Sequence, residues 1–127
     1  MSAETHRPER GHDFYPPADV LAGIPPLYAT EDIDTPDKGI HLHYFLGDLD
    51  WWVVEYDPVE RLAFGYACLG DPDMAEWGYV SLVELEGLFE EFGGLGIGVI
   101  LPPLLVERDL HWTPRTASEA HLPGRWC

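Results

Sequence analysis

Alternation of apolar and polar residues along the middle of the chain predicts a series of short β-strands. The pattern is clearest in IHLHYFL, residues 40–46, and it returns in WWVVEY at 51–56, LAFGYACL at 62–69 and WGYVS at 77–81. A period of two residues is typical of strands that bury one face. The turn-forming segments DPVER and GDPDMAE favour an antiparallel meander. In 40–46 the predicted core face carries Ile40, Leu42, Tyr44 and Leu46, and the opposite face carries His41, His43 and Phe45.

The segment GYVSLVELEGLFEEFGG, residues 78–94, changes from alternation to a helical period. Ser81 and Glu84 have the spacing of a capping box, and Gly93 is placed to end the helix as a left-handed cap. The sequence therefore predicts one amphipathic helix that packs on one face of the sheet. Its apolar face carries Leu82, Leu85, Leu88, Phe89 and Phe92, and Glu84, Glu86, Glu90 and Glu91 lie largely elsewhere.

These elements predict an α+β fold, an antiparallel meander sheet of about five strands with one amphipathic helix packed on one face. The run LLVERDLHW supplies a last strand over residues 104–112, and a short helical turn is expected near residues 18–22. We expect a single domain over residues 16–113. The polar, proline-containing residues 1–15 predict a mobile tail, and residues 114–127 form a C-terminal extension that is either loose or packed down.

The composition is that of one folded domain. The chain has 127 residues, of which 46% are hydrophobic and 13% aromatic, which is too apolar for a disordered chain. The longest uncharged run, residues 92–106, is interrupted by glycine and proline and falls short of the roughly 20 apolar residues of a membrane span. We therefore expect no membrane segment, and the lack of an apolar signal near the N-terminus predicts a cytoplasmic protein.

Acidic charge is the strongest feature of the composition. The sequence has 23 Asp and Glu against 7 Lys and Arg, a formal net charge of −16. Most of the acids lie between Glu31 and Glu91, where only Lys38 and Arg61 oppose them. Because contacts to phosphate need Lys and Arg, the composition argues against direct binding of DNA or RNA.

An acidic domain can instead occupy a basic groove that binds nucleic acid. Carboxylates at alternate positions of a strand are about 6.5 to 7 Å apart, close to the spacing of phosphates along one DNA strand. The segment GDLDWWVVEYD, residues 47–57, offers two such pairs, and the acidic loop GDPDMAE, residues 70–76, follows. We therefore predict a set of partner-binding acids in or beside the loops of the meander. These acids are Asp48, Asp50, Glu55, Asp57, Asp71, Asp73 and Glu76.

Catalytic and cofactor signatures are missing from the sequence. A nucleophile elbow at Ser81 would need glycine two positions before and two positions after it, where Tyr79 and Val83 stand. The glycine-rich run at 93–98 is not followed by the Lys-Ser or Lys-Thr pair of a phosphate loop. We therefore predict a noncatalytic protein with no cofactor and no metal.

One alternative is a small metal-binding domain or an enzyme. His41 and His43 are two residues apart on a predicted strand and project to the same face. His111 or the carboxylates of Asp48 and Asp50 could complete a metal site there.

A second alternative is a module for protein–protein assembly through an aromatic face of the sheet. The aromatic residues of the strands exceed what one small core face can bury, and aromatic clusters with a charged rim resemble interface hot spots. Coverage of these residues by the terminal segments is the competing explanation. They are Trp51, Trp52, Tyr56, Phe64, Tyr66, Trp77 and Tyr79.

Several segments, taken in order, carry a resemblance to a known family. They are PPLYATEDID at 25–34, WWVVEYDP at 51–58, LAFGYACLGDPDMAEWGYVSLVELEGL at 62–88 and VERDLHWTPRTASEA at 106–120. Across residues 24–119 the chain resembles an uncharacterised family of small domains of unknown function, the DUF2958-like type, encoded on plasmids, conjugative elements and phages. The resemblance brings no established activity and no site residues. It implies a context in which small acidic proteins often inhibit host enzymes that handle DNA or RNA.

The sequence thus predicts a noncatalytic acidic binding protein that mimics nucleic acid. The expected partner is a basic nucleic-acid-binding protein of the host, such as a defence or DNA-processing factor, and we expect no contact with nucleic acid or membrane. A complex dominated by charge weakens as salt screens it.

Overall fold

The computed structural model describes residues 4–90 and 104–124. Within these residues no helix is long and apolar enough to cross a membrane. The helices are α1 (Arg7–Arg10), α2 (Ala18–Ala22), α3 (Leu82–Gly87) and α4 (Ala117–Ala120), with 3₁₀ turns at Thr35–Asp37 and Pro72–Met74. The strands are β1 (Gly39–Ile40), β2 (Leu42–Leu46), β3 (Leu49–Asp57), β4 (Leu62–Leu69), β5 (Glu76–Ser81), β6 (Phe89–Glu90), β7 (Leu104–Leu105), β8 (Glu107–Arg108) and β9 (Arg115–Thr116).

The centre of the molecule is a five-stranded antiparallel sheet in the order β5-β4-β3-β2-β8. Strands β2 to β5 form a meander, and β8 pairs with the other side of β2. Two shorter antiparallel pairs, β1 with β9 and β6 with β7, flank this sheet. The α+β class and the five-stranded antiparallel sheet predicted from the sequence are confirmed, and α2 is the predicted helical turn.

A bulge in β3 decides which of its side chains face each side of the sheet. The register between β3 and β4 shifts between Val53 and Glu55, and Gly65 lies opposite the shift. A Cβ atom at Gly65 would overlap the carbonyl oxygen of Trp52, so only glycine fits there. Val53 and Tyr56 belong to the same core cluster although they are three positions apart, because the bulge shifts the alternation by one residue. Glu55 is thereby turned to the opposite face.

One face of the sheet, which we call the first face, is covered by the N-terminal segment and by α3. Phe14 is fully buried there, and its ring stacks on that of Tyr44 with 4.4 Å between centroids. The Tyr44 hydroxyl also donates a hydrogen bond to the carbonyl oxygen of Phe14. Leu82 and Leu85 of α3 pack into the same cluster. The mobile tail predicted over residues 1–15 is therefore corrected for the described part of it, because Phe14 supplies apolar surface to the core.

A buried ion pair joins the N-terminal segment to α3. The Arg10 guanidinium lies 2.9 Å from a carboxylate oxygen of Glu86 and donates from Nε to the carbonyl oxygen of Val106 at 2.7 Å. The backbone N–H groups of Thr5 and His6 donate to the same carboxylate at 2.8 and 2.9 Å. Glu86 is only 2% exposed, which corrects its predicted place on the polar side of the helix, because the N-terminal segment packs over that side.

The opposite face, the second face, is covered by the C-terminal segment. Ala117 and Leu122 are buried against a cluster of strand residues, and β9 pairs with β1. The indole N–H of Trp112 donates to the carbonyl oxygen of Ile40 at 3.1 Å. The structure therefore shows the described part of the C-terminal extension packed down, and the folded unit reaches beyond residues 16–113 at both ends. The strand residues of this cluster are Ile40, Trp52, Val54, Tyr66 and Cys68.

The α3 helix is shorter than the sequence predicts. It ends at Gly87, after which Leu88 is extended and β6 pairs with β7. The pairing of β6 with β7 replaces the helical turns that the sequence predicts after Gly87. Gly87 itself favours an end of the helix there, because glycine is a poor helix former. The predicted continuation to Gly93 lies outside the described residues.

The strand predicted over residues 40–46 is divided at His41. Ile40 lies in the cluster of the second face, whereas Leu42 and Tyr44 lie in the cluster of the first. The predicted single face is therefore wrong for Ile40, because the break at His41 lets β1 leave the sheet and pair with β9.

The last strand, predicted over residues 104–112, is likewise divided into β7 and β8. It ends where the Asp109 carboxylate accepts a hydrogen bond from the backbone N–H of His111 at 3.0 Å, which closes a turn. The pairing of this run with two different partners, β6 and β2, explains why it is not one continuous strand.

Candidate partner-binding surfaces

The meander places the predicted partner-binding acids at two opposite ends of the sheet. The β2–β3 turn and the β4–β5 loop lie at one end, and the β3–β4 turn lies at the other. Strand β3 spans its nine residues between them, so the two ends are roughly 26 Å apart. The seven acids therefore do not form one surface.

Five of these acids lie at the same end of the sheet. Four of the five are exposed, and we call them the acidic end: Asp48, Asp71, Asp73 and Glu76. Asp48 follows Gly47, whose φ of 57° makes the tight turn between β2 and β3. The Asp71 carboxylate accepts a hydrogen bond from the Asp73 N–H at 3.0 Å, which fixes the start of the 3₁₀ turn.

Asp50 is committed to a contact within the protein. Its carboxylate lies 2.8 Å from Nε2 of His43, and the Asp109 carboxylate lies 2.9 Å from Nδ1 of the same ring. The ring also stacks on Trp52, with 5.2 Å between centroids and 10° between planes. The His43 ring thus links β2, β3 and the turn after β8.

The chemistry of Asp109 follows from this arrangement. Burial by itself raises the pKa of Asp109, but the hydrogen bonds from His43 and from the N–H of His111 outweigh burial and hold the pKa below its usual value. With a carboxylate at each nitrogen, His43 offers no free position to a substrate or a metal ion in this geometry.

The alternative metal site on the histidine face is not assembled in the described part of the chain. Within residues 4–90 and 104–124, no group of three or more His, Cys, Asp and Glu side chains is arranged to hold a metal ion. His41 is half-buried, and burial lowers its pKa. His111 is exposed and contributes its backbone to the Asp109 turn.

Ser81 acts as a helix cap. Its hydroxyl oxygen accepts a hydrogen bond from the N–H of Glu84 at 3.2 Å at the start of α3. The prediction of a capping serine is confirmed. A complete reciprocal capping box lies elsewhere, between Thr116 and Glu119 at the start of α4.

Glu55 is buried, which corrects its prediction as a partner contact. Glu55 is only 3% exposed. Its carboxylate accepts hydrogen bonds from the backbone N–H of Tyr28 at 2.8 Å and from that of Thr30 at 3.0 Å. The Thr30 hydroxyl donates to it as well. The bulge in β3 is the physical reason, because it turns Glu55 under the loop that contains Tyr28. Asp57, at the far end of β3, is half-buried and accepts from the N–H of Val59 at 3.0 Å.

The loop held by Glu55 presents an aromatic side chain to solvent. Tyr28 is 60% exposed and has a φ of 73°, a left-handed conformation that is unusual for a bulky residue. The hydrogen bonds from Tyr28 and Thr30 to Glu55 stabilise this conformation, and Lys38 Nζ donates to the Thr30 hydroxyl at 3.2 Å. A strained residue that the surrounding contacts hold in place is characteristic of functional positions.

Tyr28 belongs to a group of rings at the outer strand of the meander, which we call the aromatic surface: Tyr28, Phe64, Trp77 and Tyr79. The centroid of the Tyr79 ring lies 6.3 Å from that of Tyr28 and 5.2 Å from that of Phe64. The Phe64 ring stacks on Trp77, with 6.1 Å between centroids. Tyr79 is 52% exposed, and Phe64 and Trp77 are half-buried. The rings therefore form a continuous row that reaches solvent at Tyr28 and Tyr79.

The other predicted aromatic residues lie in the cores. Trp51 and Tyr56 are buried on the first face, and Trp52 and Tyr66 on the second. Coverage by the terminal segments thus accounts for most of the aromatic excess. Sequence reasoning missed Tyr28, although its place between two prolines and an acidic run in PPLYATEDID was a signal that the residue could be displayed on a loop.

Two acidic side chains, Glu55 and Glu31, lie near Tyr79 of the aromatic surface. Partial desolvation, a hydrogen bond with Tyr28 and the charges of Glu55 and Glu31 all raise the pKa of Tyr79. The Tyr79 hydroxyl therefore remains protonated at neutral pH. Asp32 and Asp34, in the same loop as Glu31, are exposed.

Comparison of the chain with known protein families, with curated proteins and with solved structures finds no significant match in any of the three.

Proposed function

We propose that this protein is a noncatalytic acidic binding protein that inhibits a basic nucleic-acid-binding protein by occupying its nucleic-acid groove. The observation that supports this proposal is the grouping of Asp48, Asp71, Asp73 and Glu76 at one end of the sheet, all exposed. A net charge of −16 adds long-range attraction to a basic partner. We propose a host defence or DNA-processing protein as the target.

The contact set is smaller than the sequence suggested. Asp50 is bound to His43, Glu55 is buried under the Tyr28 loop, and Asp57 lies at the opposite end of the sheet. The acidic end therefore carries the proposed interaction. It combines its carboxylates with two exposed apolar side chains, Leu69 and Met74, which can pack against the partner.

Competitive occupancy is the proposed mechanism. Exposed carboxylates on turns stand in for phosphates, so they attract the Lys and Arg side chains that line a nucleic-acid groove. The acidic end and the nucleic acid cannot both fill the partner's groove, and no covalent bond is made or broken.

Charge reversal at the acidic end tests this proposal. Wild-type protein, the D71K/D73K/E76K variant and a matched D19K/E60K/E84K variant serve as baits for a host lysate, and mass spectrometry identifies what each retains. All six positions are exposed, and both variants change the net charge equally. We expect the acidic-end variant to lose a basic nucleic-acid-binding protein that the wild type and the matched variant retain.

Equal loss from both variants would show that net charge alone drives capture, and retention by the acidic-end variant would exclude these carboxylates as the contact. Capture of no basic nucleic-acid-binding protein by the wild type would overturn the proposed function itself.

A further inference from the structure

The exposed rings of the aromatic surface, Tyr28 and Tyr79, are a second exposed feature of the molecule, although Trp77 of the same surface directly follows Glu76 of the acidic end. Tyr79 lies near the end of β5 that leads into α3, whereas Glu76 begins the same strand at the acidic end. The four carboxylates of the acidic end therefore do not account for it. Its exposed rings, Tyr28 and Tyr79, come from a loop and a strand that are far apart in the sequence.

The ring of Tyr28 is held in place at a conformational cost. A left-handed φ is unfavourable for an L-residue with a large side chain, and the loop keeps it through the buried Glu55 carboxylate. The Tyr28 and Tyr79 rings contact each other at 6.3 Å and 60° between planes, and both residues remain more than half exposed. The surface is therefore organised before any partner arrives, which lowers the entropic cost of binding.

The charges around these rings are negative. The negative charges of Glu55 and Glu31 raise the pKa of Tyr79. Asp32 and Asp34 are exposed in the same loop as Glu31. The faces of aromatic rings carry negative potential and attract cations, with Arg the more frequent partner in proteins. The negative potential of the exposed rings and the charge of the nearby carboxylates are both complementary to a positively charged side chain.

We propose that Tyr28, Phe64 and Tyr79 bind an arginine or lysine side chain of the basic partner protein, with the cation over the ring faces and Glu31 as the neighbouring carboxylate. The proposed function supplies the premise that the partner is basic. The contact at the aromatic surface then orients a partner whose groove is filled by the acidic end.

Stacking of nucleobases on the same rings is disfavoured by the charges. Binding of single strands combines aromatic stacking with a basic groove that follows the phosphates. Lys38, the basic residue of this loop, donates to Thr30, and the Arg61 guanidinium lies over the Tyr15 ring at 5.5 Å. The acids Glu31, Asp32 and Asp34 would repel a phosphate backbone.

A titration of the full-length, ¹⁵N-labelled protein tests the inference. The probe is a synthetic peptide of alternating arginine and glycine, and a peptide of alternating glutamine and glycine is the uncharged control. We expect the arginine peptide to shift the amide signals of Tyr28, Phe64 and Tyr79. The glutamine peptide should leave these signals unchanged.

Two substitutions at Tyr79 separate attraction to the ring from simple apolar contact. Tyr79→Leu keeps apolar area without the ring, and we expect it to weaken binding of the arginine peptide about two- to fivefold. Tyr79→Phe keeps the ring and should bind like the wild type. Because Tyr79 is largely exposed, both variants should fold, and the same spectra verify that they do.

Unchanged binding by Tyr79→Leu overturns the inference. So do shifts confined to the acidic end, at residues such as Asp48 and Asp71, although that result leaves the proposed function standing. Failure of the wild-type bait to capture any basic nucleic-acid-binding protein, by contrast, overturns the proposed function whatever the peptide does.

Discussion

Two glutamates, Glu55 and Glu86, illustrate how individual acids serve the fold and not the surface. Glu86 is surrounded by donors from the N-terminal segment, among them the Arg10 guanidinium at 2.9 Å. Glu55 accepts from the backbone of the Tyr28 loop. Each carboxylate accepts hydrogen bonds from N–H donors of the chain where a surface acid would accept them from water. Part of the large acidic charge is therefore structural.

Substitution of Glu86 by glutamine should destabilise the protein by about 3 kcal/mol, because the buried Arg10 would lose its closer counter-charge and keep only the Glu4 carboxylate, at 3.5 Å. Urea denaturation at neutral pH measures this change. Glu84→Gln, on the exposed side of the same helix, is the matched control and should change the free energy of unfolding by about 0.5 kcal/mol or less. Equal effects of the two substitutions would show that the ion pair adds nothing specific.

The effect of Glu86→Gln on the free energy of unfolding should also depend on pH. Burial by itself raises the pKa of Glu86, but the N–H groups of Thr5 and His6 and the Arg10 guanidinium outweigh it, so the pKa lies below its usual value of 4.5. The stability that Glu86 contributes is therefore present above pH 4.5 and is lost as the pH falls through the lowered pKa. We expect the unfolding free energies of wild type and Glu86→Gln to converge in acid. A difference between them that does not narrow as the pH falls below 4.5 would contradict this assignment.

The residues that sequence reasoning placed correctly have local partners. Ser81 caps Glu84, three positions away, and this spacing is visible in the sequence. Glu55 and Glu86 were placed wrongly because their partners lie 25 to 81 positions away. An alternating or helical pattern reports which face of an element a residue occupies, but not which distant segment covers that face.

Among the secondary-structure elements, the alternation of apolar and polar residues predicted the strands of the meander. Pairing between segments far apart in the sequence determined where the neighbouring helix and the last strand end. The strands β2 to β5 follow from alternation and turn residues, and they are present in the expected order. The early end of α3 and the division of the last strand both result from pairing between residues near 89 and 105. The Phe14 anchor on the first face depends equally on contacts between distant segments.

The bulge in β3 is the element on which the Tyr28 loop depends, and Gly65→Ala tests it. A Cβ atom at Gly65 would overlap the carbonyl of Trp52, so we expect a loss of about 3 kcal/mol in unfolding free energy. Gly78 is the cross-strand neighbour of Gly65, and a Cβ atom there meets nothing within 4 Å. Gly78→Ala should therefore stay within about 1 kcal/mol of wild type. Thermal or urea unfolding distinguishes the two, and similar stabilities would mean that the bulge is not required.

At the scale of the whole molecule, charge composition predicted an acidic surface but not its arrangement. A net charge of −16 follows from counting, whereas the separation of an acidic end from an aromatic surface follows from the length and order of the strands. Of the seven acids predicted as contacts, the fold groups four and assigns Asp50 and Glu55 to internal hydrogen bonds. A rise in ionic strength should therefore weaken contacts made by exposed acids, those of the acidic end among them, more than the internal hydrogen bonds of Glu55, since exposed charges are screened more than buried ones.

The most direct test of nucleic-acid mimicry is displacement of a captured partner by duplex DNA. The wild-type protein is immobilised, loaded from a host lysate at low salt and washed with increasing DNA at constant ionic strength, while a parallel column is washed with salt alone. We expect DNA to release a basic nucleic-acid-binding protein at an ionic strength where salt alone does not. A partner that stays bound at saturating DNA would show that the acidic end does not occupy the nucleic-acid groove.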